Sequence, residues 1–119
     1  MKTAEEIRSE LAQYTGTEAY HKLSLGNLNF TDGVKAMAEL CQAYWLCDVV
    51  ASYQPFGIDK KCRGFQVWKL TVKGNKGKVE CSDGDGKVVK VQKIEYTDFP
   101  LDEMILWVTN GVCLLPSEY

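Results

Sequence analysis

The chain has 119 residues, of which 45% are hydrophobic and 25% charged, and its formal net charge at pH 7 is −2. These values are typical of a single globular domain over residues 1–119 with an ordinary buried core. No apolar stretch approaches the roughly 18 residues that a membrane span needs. The start Met1–Glu6 also lacks the apolar core of a signal peptide, so we expect a cytoplasmic protein without membrane contact.

The few sulfur and imidazole groups argue against a metal site. The five cysteines are odd in number and never form a Cys-x-x-Cys pair, and His21 is the only histidine. This pattern disfavours both a zinc site and a secreted disulfide framework, and it favours cysteines that act as small buried hydrophobes. No phosphate-binding glycine-rich loop and no nucleophile motif is present either. The sequence therefore predicts no metal, no cofactor and no catalytic residue, which means a non-enzymatic protein.

Two helices are predicted in the N-terminal half. Thr3 opens a capping box, and apolar residues then recur at helical spacing over about residues 3–14. A second helix is expected to begin near Thr31 and to run to about Tyr53, because Pro55 ends it. Past its midpoint the side chains are apolar nearly all round, which is typical of a centrally buried helix.

After the second helix the apolar period changes from about 3.6 residues to about 2, which predicts about five strands. The predicted strands are Phe65–Val72, Lys78–Ser82, Lys87–Tyr96, Met104–Val108 and Val112–Leu115. Asn110-Gly111 between the last two is a strong hairpin signal. Helices followed by strands predict an α+β fold, in which two N-terminal helices pack on one face of a mainly antiparallel meander sheet.

One acid, Asp48, stands in the apolar run Ala43–Ala51. We expect this carboxylate to be sheltered from water, where an unpaired charge would cost several kcal/mol. On a helix Tyr44 and Ser52 lie one turn to either side of it, which makes the three residues a candidate ligand-binding or partner-binding site. The alternative is a buried structural acid paired with Arg63, a lysine, an indole N–H or backbone amides.

Charge is distributed unevenly along the chain. Residues 59–93 carry ten basic and four acidic side chains, and all ten basic ones lie in the segment 60–93, whereas residues 94–119 carry five acids and no Lys or Arg. The basic segment would suit an acidic protein surface or phosphates. Its candidate contact residues are Lys60, Lys61, Arg63 and Lys69. Phe65 and Trp68 would point to opposite faces of a strand, which disfavours base stacking.

Two further acidic segments allow a binding role. Tyr96 and Asp98 place an aromatic ring and a carboxylate at the end of a predicted strand, a combination that suits a protein partner. Asp83 and Asp85 are spaced as in a calcium loop. An EF-hand needs an oxygen ligand where Lys87 stands, so a charged hairpin turn is predicted there instead.

Several segments together resemble a family of small proteins of unknown function that is carried by phages, plasmids and bacterial or cyanobacterial genomes. The segments are Gln13–Glu18, Phe30–Lys35, Ala43–Asp48, Phe65–Trp68, Tyr96–Leu101, Asn110–Val112 and Leu114–Tyr119. The resemblance covers nearly the whole chain and implies no chemistry. It implies a mobile-element context, in which small proteins often bind and block a host protein, anti-CRISPR proteins among them.

We therefore expect a non-enzymatic binding protein of phage or mobile-element type that occupies the surface of a host protein, with a host defence complex as one candidate. A first alternative is a nucleic-acid-binding protein that uses the basic segment 60–93. A second alternative is a small-ligand binder or hydrolase centred on Asp48.

Overall fold

Residues 2–119 are described by a computed structural model, in which helices cover one face of a six-stranded sheet. The helices are α1 (Ala4–Leu11), α2 (Asp32–Leu40), α3 (Tyr44–Ser52) and α4 (Ile58–Lys61). The strands are β1 (Asn29–Phe30), β2 (Phe65–Lys73), β3 (Lys76–Ser82), β4 (Val88–Ile94), β5 (Glu103–Thr109) and β6 (Val112–Leu114). Among the helices of residues 2–119, none is long and apolar enough to cross a membrane.

The sheet confirms the predicted α+β class and its mainly antiparallel pairing, but the prediction that all strands pair in sequence order, as a meander, was wrong. The strand order is β1-β6-β5-β2-β3-β4, and only β1 pairs in parallel, with β6. β5 lies beside β2 and not beside β4, because the connection 95–102 crosses the end of the β2–β3 hairpin. There the Thr97 N–H donates to the Asn75 carbonyl at 2.8 Å, and the Val72 N–H donates to the Asp102 carbonyl at 2.9 Å.

The predicted second helix is two helices. α2 ends at Leu40, and the chain turns through Gln42, which has a left-handed φ of 51°, before α3 begins at Tyr44. The Ala43 N–H donates to the Ala38 carbonyl at 2.8 Å across this break. Neither glycine nor proline marks the turn, so apolar periodicity alone gave no sign of it. A short α4 between α3 and the sheet was also not predicted.

The core lies between the helices and the inner face of the sheet, as the alternation along β2 shows. Gln66, Trp68, Leu70 and Val72 are buried, while the residues between them point to the other face. All five cysteines are buried and free, which confirms their predicted role as small hydrophobes. Burial raises the pKa of the Cys41 thiol to about 11, so that this thiol stays protonated at neutral pH.

One fully buried polar side chain, that of Gln66, fastens the segment after α3 to β2. Its amide and that of Gln54 exchange two hydrogen bonds of 2.9 Å. Its nitrogen also donates to Asp59 Oδ1 at 2.9 Å, and its oxygen accepts from Trp68 Nε1 at 2.8 Å. The network therefore satisfies the Gln66 amide inside the core.

The side chain of Glu118, one residue before the end of the chain, lies at the N-terminus of α2. Its Oε1 accepts hydrogen bonds from Thr31 Oγ1 at 2.5 Å and from the Leu115 N–H at 3.0 Å. Its Oε2 accepts from the Gly33 N–H at 3.1 Å. A carboxylate at this place satisfies one free amide of α2 and complements the helix dipole, so Glu118 ties the end of the chain to α2.

Candidate binding surface

Asp48 is exposed on α3, which corrects the expectation that it is sheltered. Only one side of α3 is buried, through Leu46, Cys47, Val50 and Ala51. Helical spacing leaves a stripe on the other side even within an apolar run, and that stripe is Tyr44, Asp48 and Ser52. The hypothesis of a ligand binder or hydrolase centred on Asp48 therefore loses the sheltered setting on which it was based.

The Asp48 stripe borders an open groove rather than a closed pocket. Ser24 Oγ donates to Asp48 Oδ1 at 2.6 Å, and the loop 22–25 forms the opposite wall. The Ser52 hydroxyl donates to the Val49 carbonyl at 2.7 Å, so it serves its own helix. Leu25 at the rim is 93% exposed. The groove is lined by apolar side chains, two serines, Lys22 and the Asp48 carboxylate, and none of the predicted basic contact residues lies in it.

The other predicted contact residues do not meet at one place. Lys60 and Lys61 lie on α4, and Arg63 follows it and forms an exposed ion pair with Asp85 at 3.9 Å. Lys69 lies at the centre of β2, while Tyr96 and Asp98 are exposed on the connection 95–102. The structure thus distributes the nine candidates over α3, α4, β2 and the β4–β5 connection.

The structure instead points to the sheet surface that faces away from the helices, which we call the outer face. At one end of it lie the aromatic rings of Phe65, Trp107 and Tyr119. Their centroids are 5.3 to 5.7 Å apart in edge-to-face contacts. Tyr119 is 75% exposed, and Leu114 stands opposite Trp107. We call these four residues the aromatic end.

The opposite end of the outer face is basic. The strand registers bring Lys73 opposite Lys76 and Lys78 opposite Lys93. We call these four lysines the basic end, and along β2 it lies about 26 Å from Phe65. Between the two ends Lys69 pairs with Glu103 at 3.4 Å. The outer face is therefore graded from aromatic to basic, with its few acids already paired to lysines.

Sequence reasoning missed this surface for a specific reason. Phe65 and Trp68 do point to opposite faces, as expected, but Trp107 and Tyr119 join Phe65 from distant parts of the chain. The alternation along β5, with Met104 and Leu106 buried and Trp107 half-buried, was the available signal. Which strand lay next to β2 could not be read from it.

His21 forms a contact that the sequence also did not reveal. Its Nε2 lies 2.7 Å from Asp32 Oδ1, and Asp32 Oδ2 accepts from the Glu18 N–H at 3.0 Å. The hydrogen bond from His21 is the main cause that lowers the pKa of Asp32. Within residues 2–119 no serine, threonine or cysteine is hydrogen-bonded to this imidazole. The pair fastens the irregular segment before β1 to the start of α2.

Potential metal ligands are equally dispersed. Within residues 2–119 no three His, Cys, Asp or Glu side chains lie together in a way that could hold a metal ion. In the Asp83–Gly86 turn, Asp83 Oδ1 accepts the N–H groups of Asp85 and Lys87, both at 2.9 Å. The bond from Lys87 is the main cause that lowers the pKa of Asp83. This carboxylate is engaged in the hairpin turn, as the charged-turn prediction requires.

The fold and the surface define a two-layer α+β protein in which the helices of residues 2–119 cover one face of the sheet. The chain belongs to the Family of unknown function (DUF6876), whose model matches residues 5–119. This confirms the expected membership in a family of unknown function over nearly the whole chain. No curated protein and no solved structure matches the chain.

Proposed function

We propose that the protein is a non-enzymatic binding protein that docks on a partner protein through its outer face. The observation that carries the proposal is the aromatic end, where three rings lie on a sheet face that is not covered by any helix of residues 2–119. Aromatic side chains bury a large area and lose little conformational entropy, so they supply a large share of the binding energy in protein interfaces.

The charges of the outer face indicate what the partner looks like. The basic end places four lysines at the opposite end of the outer face from the aromatic rings, and Glu80 and Glu103 are already paired with Lys78 and Lys69. A partner with an apolar patch and an acidic patch about 26 Å apart would be complementary to this gradient. The resemblance to proteins of phages and plasmids supports a host protein as that partner, and a host defence complex is one candidate.

The first prediction concerns Tyr119, the most exposed ring of the aromatic end. Tyr119→Ser should weaken capture of a host partner from lysate by about tenfold or more, as expected for an interface hot spot. Phe56→Ser is the matched control, because Phe56 is 77% exposed but lies on the turn after α3. Capture is measured by quantitative mass spectrometry after nuclease treatment. Equal capture by the two variants would contradict docking through the outer face.

A nucleic-acid partner is the second candidate, because the aromatic rings and four lysines share one face. Single strands are bound by such a combination of stacking and phosphate contacts. The acidic segment 94–119 opposes this less than its charge suggests. Asp102 pairs with Arg8 at 2.9 Å, Glu103 pairs with Lys69, and Glu118 accepts the Gly33 N–H.

The second prediction tests that candidate with a labelled oligothymidylate. If it is correct, log Kd should change with log salt concentration by about 0.7 per phosphate contacted, and Lys73→Gln with Lys76→Gln should reduce that slope by up to about 1.4. The control is Lys60→Gln with Lys61→Gln on α4, which removes the same charge elsewhere. No binding at low salt would remove the nucleic-acid candidate.

A further inference from the structure

We propose that the edge strand β4 accepts an extended acidic segment of the partner as an additional strand of the sheet. The proposal rests on the proposed function, since it names how a protein partner is held. Recognition by strand addition uses backbone hydrogen bonds for affinity and the alternating side chains for specificity. β4 has the length, the exposure and the charge that strand addition needs.

The sheet has two edges of different kinds. One edge is β1, which has two residues and whose Phe30 already exchanges backbone hydrogen bonds of 2.8 and 2.9 Å with His21. The other edge is β4, which has seven residues and pairs with β3 alone. Within residues 2–119 no segment pairs with the outer side of β4. Every second residue of β4 therefore offers a free N–H and C=O.

Both faces of β4 are accessible to the side chains of an incoming strand. On the outer face Val88 and Val91 are 47% and 48% exposed, and they extend the outer face toward the edge. On the helix side Gln92 accepts a hydrogen bond from the Tyr53 hydroxyl at 2.7 Å, and Lys90 Nζ lies 5.6 Å from the centroid of the Tyr53 ring. Tyr53 therefore contacts β4 on the helix side, while the side chains of β4 remain accessible.

The charges along β4 select an acidic strand. Lys90 and Lys93 are exposed, and within residues 2–119 neither forms an ion pair. They are three residues apart and so point to opposite faces of the sheet. An added strand would meet both lysines if it carried two acids three positions apart. A second copy of β4 carries two lysines and no acid, so it offers these lysines no opposite charge.

The test uses short threonine- and valine-rich peptides with two glutamates, and binding is measured by fluorescence anisotropy at low salt. The peptide with Glu-x-x-Glu should bind more tightly than the one with Glu-x-Glu, and the Lys-x-x-Lys peptide should not bind. Lys90→Glu with Lys93→Glu should weaken binding of the Glu-x-x-Glu peptide by about tenfold or more. The same variant should bind the Lys-x-x-Lys peptide more tightly than the parent does. The matched control is Lys60→Glu with Lys61→Glu on α4, which changes the net charge equally.

Backbone pairing has its own readout. Because an edge strand uses alternate amides, N-methylation of one alternate set in the peptide should abolish binding, while methylation of the other set should not. Equal binding of both methylated peptides, or equal weakening by the control variant, would overturn the proposal. If these peptides fail to bind while Tyr119→Ser still weakens capture of a partner, strand addition is wrong and docking through the outer face stands.

Discussion

Gln66→Glu should lower the free energy of unfolding by about 3 kcal/mol at neutral pH. Gln66 is fully buried, and its nitrogen donates to Gln54 Oε1 and to Asp59 Oδ1. The substitution keeps the size of the side chain, removes both donors and places a second carboxylate beside Asp59. Urea unfolding followed by tryptophan fluorescence measures the loss.

Gln92→Glu is the control for that change, because Gln92 lies on the same sheet but is only half-buried and acts as an acceptor for Tyr53. Its expected effect is below about 0.5 kcal/mol. The deficit of Gln66→Glu should also shrink at mildly acidic pH, since protonation of the introduced carboxyl restores one donor. A deficit no larger than that of the control would show that the buried network does not hold α4 to the sheet.

Glu118→Ala should lower the free energy of unfolding by about 2 kcal/mol. The substitution removes the acceptor for Thr31 Oγ1 and for the N–H groups of Gly33 and Leu115. Thr31 is only 3% exposed, so water does not readily replace the lost bond. Glu95→Ala, the same change at an exposed position, should stay within about 0.5 kcal/mol of the parent.

Gly33 offers an independent check on the same contact. In a helix Gly→Ala normally stabilises by about 1 kcal/mol. Here an added Cβ would lie 2.5 Å from Glu118 Oε1 and 2.8 Å from Leu115 Cδ1, so the carboxylate must move away from the helix terminus. We expect Gly33→Ala to destabilise the parent and to be less harmful in the Glu118→Ala background. Additive effects in this double-mutant cycle would mean that the two positions are not coupled.

Five of the six strands and the first helix could be predicted because their signals are local, whereas the two-residue β1 was not predicted. The capping box at Thr3 and the alternation along β2 and β5 depend on a few neighbouring residues, and the structure confirms them. The break between α2 and α3 could not, because Gln42 adopts a left-handed φ without glycine or proline nearby. The exposure of Asp48 depended on which side of α3 meets the sheet, which an apolar run does not specify.

The candidate surface was the least predictable part because it is assembled from remote segments. Phe65 was recognised as a strand residue, but its neighbours Trp107 and Tyr119 come from β5 and the C-terminal turn. The basic segment was recognised from composition, yet only the register reveals that Lys73, Lys76, Lys78 and Lys93 share one end of the outer face while Lys60 and Lys61 lie on α4. The composition indicated a basic surface, and the pairing of the strands determines which lysines lie together on it.

The position of β2 between β3 and β5 has a consequence for how the chain folds. β2, β3 and β4 follow one another through short hairpins, so they can pair early, whereas β5 reaches β2 only after the chain has passed around the hairpin end. When two paired strands are far apart in the sequence, the chain loses entropy on closing the loop between them before any of their contacts form. Such pairing slows folding. We therefore expect β5 to pair with β2 only after β2, β3 and β4 have paired, and the free edge of β2 stays unpaired until then.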